Sequence, residues 1–204
     1  DLKEILPFWL ALAGWIPEVK DPGISVGTLH TLQECKEGIQ SGKKEEIAHS
    51  LQKAFLAGFS GLLMPSLQDE LYQGIAPKDE KIPKDLSPLV FLKRGKELIR
   101  SLFFQEKAGE MELLPFLPPE FPVGRMTGIT TQNGHRIDLE WSKKLLRRVI
   151  IHAGTTETLA LVLQKPLKSF RLRHREKERG QTISRDVPIQ LRAGEKLFLD
   201  RFEK

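Results

Sequence analysis

The chain has 204 residues, 40% of them hydrophobic and 29% charged, with a net charge of +5 at neutral pH; that is globular composition, and it excludes a disordered or fibrous chain. The single cysteine, Cys35, excludes an internal disulfide framework and a cysteine-based zinc site, so nothing requires an oxidising compartment. The positive balance permits an acidic partner without requiring one, and much of it lies in "SKKLLRR", Ser142 to Arg148, and "RLRHREKER", Arg171 to Arg179.

Residues 1–108 read as helices. The first apolar run, "ILPFWLALAGWIP", carries Trp9 and Trp15 and, like "AFLAGFSGLLMP" further on, falls short of the ~20 residues a membrane helix needs. Acidic residues precede "LPFWLALAGW" and no small-residue cleavage site follows it cleanly, which argues against a signal peptide. The opening Asp1 fits a processed product or a piece of a longer chain. In "ISVGTLHTLQECKEGIQ", Ile24, Leu29, Leu32, Cys35 and Ile39 keep a loose helical spacing. From Glu45 to Leu63, Ile47, Leu51, Phe55, Phe59 and Leu62 recur every three or four residues, and Pro65 ends that helix. Ser66 caps a short helix through "LQDELYQGI", and the charged, proline-marked "APKDEKIPKDLSP" is a loop. Ser87 then caps a last helix with Pro88 in its first turn and Leu89, Leu92, Ile99, Leu102 and Phe103 as the expected buried stripe; Gly109 is expected to stop it.

From Glu110 onward the period changes to two. "RIDLEW" alternates Ile137, Leu139 and Trp141 with Arg136, Asp138 and Glu140, a half-buried strand preceded by the tight turn "QNG", which makes Trp141 a core residue. "LLRRVIIH", "TLALVLQ", "SFRLRHR", "TISRDVPIQL" and "EKLFLDRF" follow at short intervals with turn signals between them. The pattern predicts an α+β chain: an N-terminal helical unit, then an antiparallel β-sandwich or barrel. In Ser169 to Arg175 the alternation sends Arg171, Arg173 and Arg175 to one sheet face, away from Phe170, Leu172 and His174.

Between the halves lies "LLPFLPPEFPVG", Leu113 to Gly124, rich in proline and nearly free of charge. Proline fixes φ and lacks a backbone donor, and a flexible linker is written in Gly and Ser instead, so this segment reads as a rigid apolar seam. The longer stretch Gly109 to Trp141, through Leu113, Leu114, Pro115, Leu117, Pro118, Gly124, Gly128, Gly134, Ile137, Asp138, Leu139 and Trp141, resembles the junction in the α-L-fucosidase-type glycoside hydrolases of family 95. In that family the last helix of an (α/α)-barrel catalytic domain leads to a C-terminal β-sandwich. The resemblance implies a helical unit over 1–108 that completes part of a barrel, a seam over 109–118 and a bracing sandwich over 119–204. It also implies a carbohydrate partner, and an apolar helical flank covered by the rest of a longer chain or by a second copy. At the place of the family's "DGNFG"-like stretch this chain reads "IPKDLSPL", so no catalytic residue of the family carries over, and the chain alone is expected not to catalyse.

The residues themselves leave two other readings. A stand-alone carbohydrate-binding module would stack sugars on aromatics, for which Trp9, Trp15 and Tyr72 are the candidates. A binder of an anionic partner would use Arg147, Arg148, Arg171, Arg173 and Arg175; with no aromatics interleaved on their face, nucleic acid is not expected. For acid–base chemistry Asp69 and Glu70 are the nearest carboxylate pair, with Asp85 in the loop, but adjacent helical residues do not face one another. His30, His49, His135, His152 and His174 lack metal-site spacing, and there is no glycine-rich phosphate loop, so no metal or cofactor is expected. Cys35, on an apolar stripe, is expected to be a buried side chain rather than a nucleophile.

Overall fold

A computed structural model describes residues 1–41, 44–61, 83, 86–107 and 109–204. Two compact units emerge, Asp1–Ser101 and Leu102–Lys204.

The first unit holds helices α1 (Leu2–Ala13), α2 (Thr28–Gln40), α3 (Lys44–Gly61) and most of α4 (Leu89–Phe103). The Asp1 carboxylate caps α1 by accepting the Lys3 N–H at 2.9 Å. Ser87 does the same for α4, its hydroxyl accepting the Leu89 N–H at 3.3 Å, as its position before Pro88 predicts. Leu29, Leu32, Cys35 and Ile39 of α2 and Ile47 and Leu51 of α3 are buried along the stripes their spacing predicts. In α4 Ile99, Leu102 and Phe103 are buried as expected, but Val90, Phe91 and Leu98 take the place of the half-buried Leu89 and Leu92, because Trp9 lies against this face, its ring stacked on Phe91 at 5.0 Å. Gly95 makes that approach possible, since a Cβ there would sit 2.0 Å from the indole. None of the described helices is long and apolar enough to cross a membrane. The Ser66 helix and the 76–82 part of the charged loop lie outside the described residues.

Burial, followed by the neighbouring Glu34 charge, pushes the Cys35 thiol up to about 12. A thiol at that value has almost no thiolate at pH 8. Native protein is therefore expected to resist iodoacetamide at that pH and to react once unfolded; rapid labelling of native Cys35 would contradict its place in the core.

The second unit begins where the sequence pattern still suggests helix. α4 ends at Phe103, and Phe104–Lys107 is strand β1, paired antiparallel with β2 (Glu110–Leu113) in the register Phe104↔Leu113. Gly109, at φ +74°, belongs to that connection and does not stop a helix. Phe104 and Leu113 are both buried, so tertiary pairing overrides a local sequence that reads equally well as another helical turn.

Eight further strands follow: β3 (Gly124–Thr130), β4 (Arg136–Ser142), β5 (Leu145–His152), β6 (Glu157–Val162), β7 (Ser169–Arg173), β8 (Gln181–Ser184), β9 (Ile189–Leu191) and β10 (Lys196–Glu203). They make a four-stranded sheet, β1-β2-β6-β9, and a six-stranded one, β3-β4-β5-β10-β7-β8. All pairs are antiparallel except β2 with β6, which run parallel. "TISRDVPIQL" is not one strand. β8 and β9 lie in different sheets, separated by a turn closed by the Val187 N–H to Ser184 carbonyl bond, and Pro188 cannot donate to a ladder.

Alternation puts Ile137, Leu139, Val149, Ile151, Phe170, Leu172, Leu197 and Leu199 of the larger sheet, and Met111, Leu113, Leu159, Leu161, Ile189 and Leu191 of the smaller, into the core. The proline-rich segment is part of this unit. Leu114 and Phe116 donate to the carbonyls of Phe103 and Leu102, and Leu114, Leu117 and Pro118 are buried. Phe121 meets Phe103 edge to face at 5.7 Å, and its carbonyl accepts the Trp141 indole N–H at 2.9 Å. Trp141 is a core residue, as its place in the alternation predicts.

Candidate functional site

Of the basic residues singled out in the sequence, Arg148, Arg171 and Arg173 lie on the outer face of the six-stranded sheet, where register decides their company. Residues directly opposite in neighbouring strands share a face with Cβ atoms about 4.5–5.5 Å apart. Arg125 faces Glu140, Glu140 faces Arg148, Arg148 faces Asp200, and Asp200 faces Arg171, so one row across five strands alternates in sign. The contacts are tight at its centre. Arg171 grips Asp200 with two bonds, Nε to Oδ1 at 2.7 Å and Nη2 to Oδ2 at 3.0 Å, and Arg173 adds Nη2 to Oδ2 at 2.5 Å. Arg173 also donates to the Glu176 carbonyl and lies over the Phe198 ring, 5.6 Å from its centroid. Hydrogen bonding from Arg171 first, then Arg173, holds the Asp200 carboxyl below its ordinary value.

Arg175 is not in that row. β7 ends at Arg173, and Arg175 lies in the following turn, where Glu178 accepts the backbone N–H groups of His174 and Arg175. Arg147 is exposed and donates Nε to the Ser142 hydroxyl at 3.0 Å. Asp200, 29 residues from Arg171 in sequence, is the partner that spacing alone does not reveal.

A second cluster lies at one end of the same unit. His135 is fully buried in the turn before β4; its Nδ1 accepts the Gly154 N–H at 3.0 Å, so Nε2 carries the proton and donates to Glu157 Oε1. Asn133 donates to both Glu157 oxygens, at 3.1 and 2.9 Å. Bonds from His135, then Asn133, hold the Glu157 carboxyl below its ordinary value. Glu157 opens β6 in the smaller sheet and His135 leads into β4 in the larger, so the cluster latches the two sheets together. Chemically it offers an ionised carboxylate and an imidazole with both nitrogens engaged.

The helical unit contains a cleft of about 350 Å³ lined in part by Asp21, Lys36, Arg94 and Glu97. Arg94 binds both Asp21 oxygens, at 2.7 and 2.5 Å, and donates Nη1 to the Ile24 carbonyl at 2.7 Å. The hydrogen bond from Arg94 is the chief cause that lowers Asp21 from 3.8 to about 2. A depressed carboxylate stabilises the fold above its unfolded pKa, and the contribution is lost as pH falls through the folded one. Asp21→Asn is expected to flatten the pH dependence of stability between pH 3.8 and about 2, read by acid titration of the unfolding midpoint; an unchanged acid limb would contradict this.

The aromatic candidates separate. Trp9 is buried in the helical core, which removes it as a sugar platform, whereas Trp15, just past α1, is 87% exposed. Tyr72, Asp69, Glu70 and Asp85 lie outside the described residues. Among the described residues, no three His, Cys, Asp or Glu side chains gather as a metal site.

The pairing of β3 with β4 shows what the glycines of the one and Asp138 of the other are for. β3 slips register between Met126 and Ile129, Gly128 there takes φ +70°, and its N–H donates to Asp138 Oδ1 at 2.8 Å: a bulge anchored by a buried acid. Gly124 leaves room for Trp141, for a Cβ there would lie 2.4 Å from the indole. Residues 105–198 match the family model of the glycoside hydrolase family 95 C-terminal domain. The match spans a little under half of the chain and runs from β1 to β10, so the β1–β2 hairpin belongs to the family 95-like region. The C-terminal unit is thus glycoside hydrolase-like. No curated protein matches the chain.

Proposed function

We propose that the chain is a non-catalytic C-terminal portion of an α-L-fucosidase-like glycoside hydrolase, in which the helices contribute to the catalytic barrel and the sandwich braces it. The observation that carries this reading is the family 95 C-terminal match over residues 105–198. Inverting glycoside hydrolysis needs one carboxylic acid that keeps its proton until it donates it, and hydrogen bonds from their partners shift Asp200 and Glu157 the other way, downward.

The same structure weakens the two rivals. Among the described residues of that unit the exposed large apolar side chains are Val123 and Val187, which offer no flat ring for a sugar. Arg171 and Arg173 share the Asp200 carboxylate, which ties down both guanidiniums and offsets part of their charge. The test is direct. The purified 204-residue chain, mixed with a fluorogenic α-L-fucoside, is expected to release no fluorophore above buffer. Sustained turnover that survives repurification would overturn the non-catalytic reading.

A further inference from the structure

Four residues along each strand from the alternating row, the same face carries a row of a different kind. Arg136 of β4 is directly opposite His152 of β5, and His152 is directly opposite Lys196 of β10. Three basic side chains thus stand side by side across three adjacent strands, with Thr130 of β3 opposite Arg136 at the end. Arg136 and Lys196 stand two strands apart with His152 between them, and protonation of that ring sets like charges directly opposite, which destabilises a sheet. Edge protection, the usual reason to tolerate such a row, does not apply, because β4, β5 and β10 are all interior strands. Nor is the fold short of ways to alternate sign, as the row through Asp200 demonstrates.

We propose that Arg136, His152 and Lys196 form a surface site for a tetrahedral oxyanion, a sulfate or phosphate group. Arg136 and Lys196 are exposed and His152 half-buried, so donors of three kinds, a guanidinium fork, an imidazole N–H and an ammonium, meet at a solvent-facing spot. Among the described residues none of the three has a carboxylate within ion-pair distance. The acid nearest the row, Asp138 of β4, is 9% exposed and its Oδ1 is already taken by the Gly128 N–H. A doubly charged oxyanion compensates the row better than a single carboxylate does. Phe198, next along β10 on this face, lies under the Lys196 ammonium at 4.9 Å and steadies it. Burial foremost, then Lys196 and Arg136, lowers the pKa of His152, while Asp138 opposes them.

Sulfate is the cleanest probe, because it does not titrate near neutrality. The His152 Cε1–H resonance is followed against pH in sodium sulfate and in sodium chloride of matched ionic strength. Sulfate is expected to raise the His152 pKa by about half a unit or more, saturably, since an adjacent anion favours the charged ring. In an Arg136→Ala, Lys196→Ala double variant, His152 is expected to titrate higher in chloride and to lose the sulfate response. Both replaced side chains are exposed, so the fold is expected to persist, and an unchanged thermal midpoint checks it. Identical His152 titrations in sulfate and chloride, or a sulfate response that survives the double substitution, would overturn the proposal.

Discussion

Replacing Trp141 by alanine is expected to cost about 4 kcal/mol of stability, the range for removing a large aromatic from a core. Trp141 is 4% exposed, lies 5.4 Å from the Phe103 ring and satisfies the Phe121 carbonyl. Its loss leaves a cavity beneath the proline-rich segment and an acceptor without its donor, and the chain has little freedom to collapse there because its prolines fix φ. Denaturant midpoints followed by circular dichroism measure the effect. Trp141→Phe, which keeps most of the volume but not the indole N–H, is expected to fall between wild type and alanine. A loss below about 1.5 kcal/mol for alanine, the scale of a volume-conserving swap, would show that the segment is not anchored through this ring.

His135→Ala is expected to cost about 2 kcal/mol, chiefly through the space that a fully buried imidazole leaves, together with its two hydrogen bonds to groups that solvent partly reaches. The Gly154 N–H loses its acceptor and Glu157 loses its buried donor, keeping only Asn133. The site cannot relax by closing up, because a Cβ at Gly154 would already lie 2.4 Å from the Gly134 carbonyl oxygen, a sign of how tightly the two turns are packed. His135→Gln, able to reach Glu157 without offering Gly154 an acceptor, is expected to recover part of the loss. The same denaturation measurement decides it, and equal stability of wild type and alanine variants would remove the latch from the account.

The strands from β4 onward were legible because each is half-buried and so alternates, with turn residues between them. The limits of the alternation are equally physical. β1 follows a helix without a break, and only its pairing with β2 makes Phe104–Lys107 extended. Period two also says which face a side chain takes but not what stands across from it. It gathered Arg171 and Arg173 correctly on one face, yet their shared partner comes from the last strand, and the row of Arg136, His152 and Lys196 exists only through the register of three strands. His135 and Glu157 are joined in the same non-local way, 22 residues apart. Trp9 lies within α1 and is buried, whereas Trp15 lies past the end of that helix and faces solvent, so helical spacing does not relate the two.

In the C-terminal unit Arg171 and Arg173 hold Asp200, His135 and Asn133 hold Glu157 across the two sheets, and Trp141 lies in the core. The proposed role follows if such a unit serves a catalytic domain in the same protein. The measurement that tests this most directly is the intact mass of the natural protein in its source cells, taken beside hydrolysis of a fluorogenic α-L-fucoside by that same material. A chain much longer than 204 residues that hydrolyses the fucoside is the predicted result. A natural product of this length without activity would contradict it.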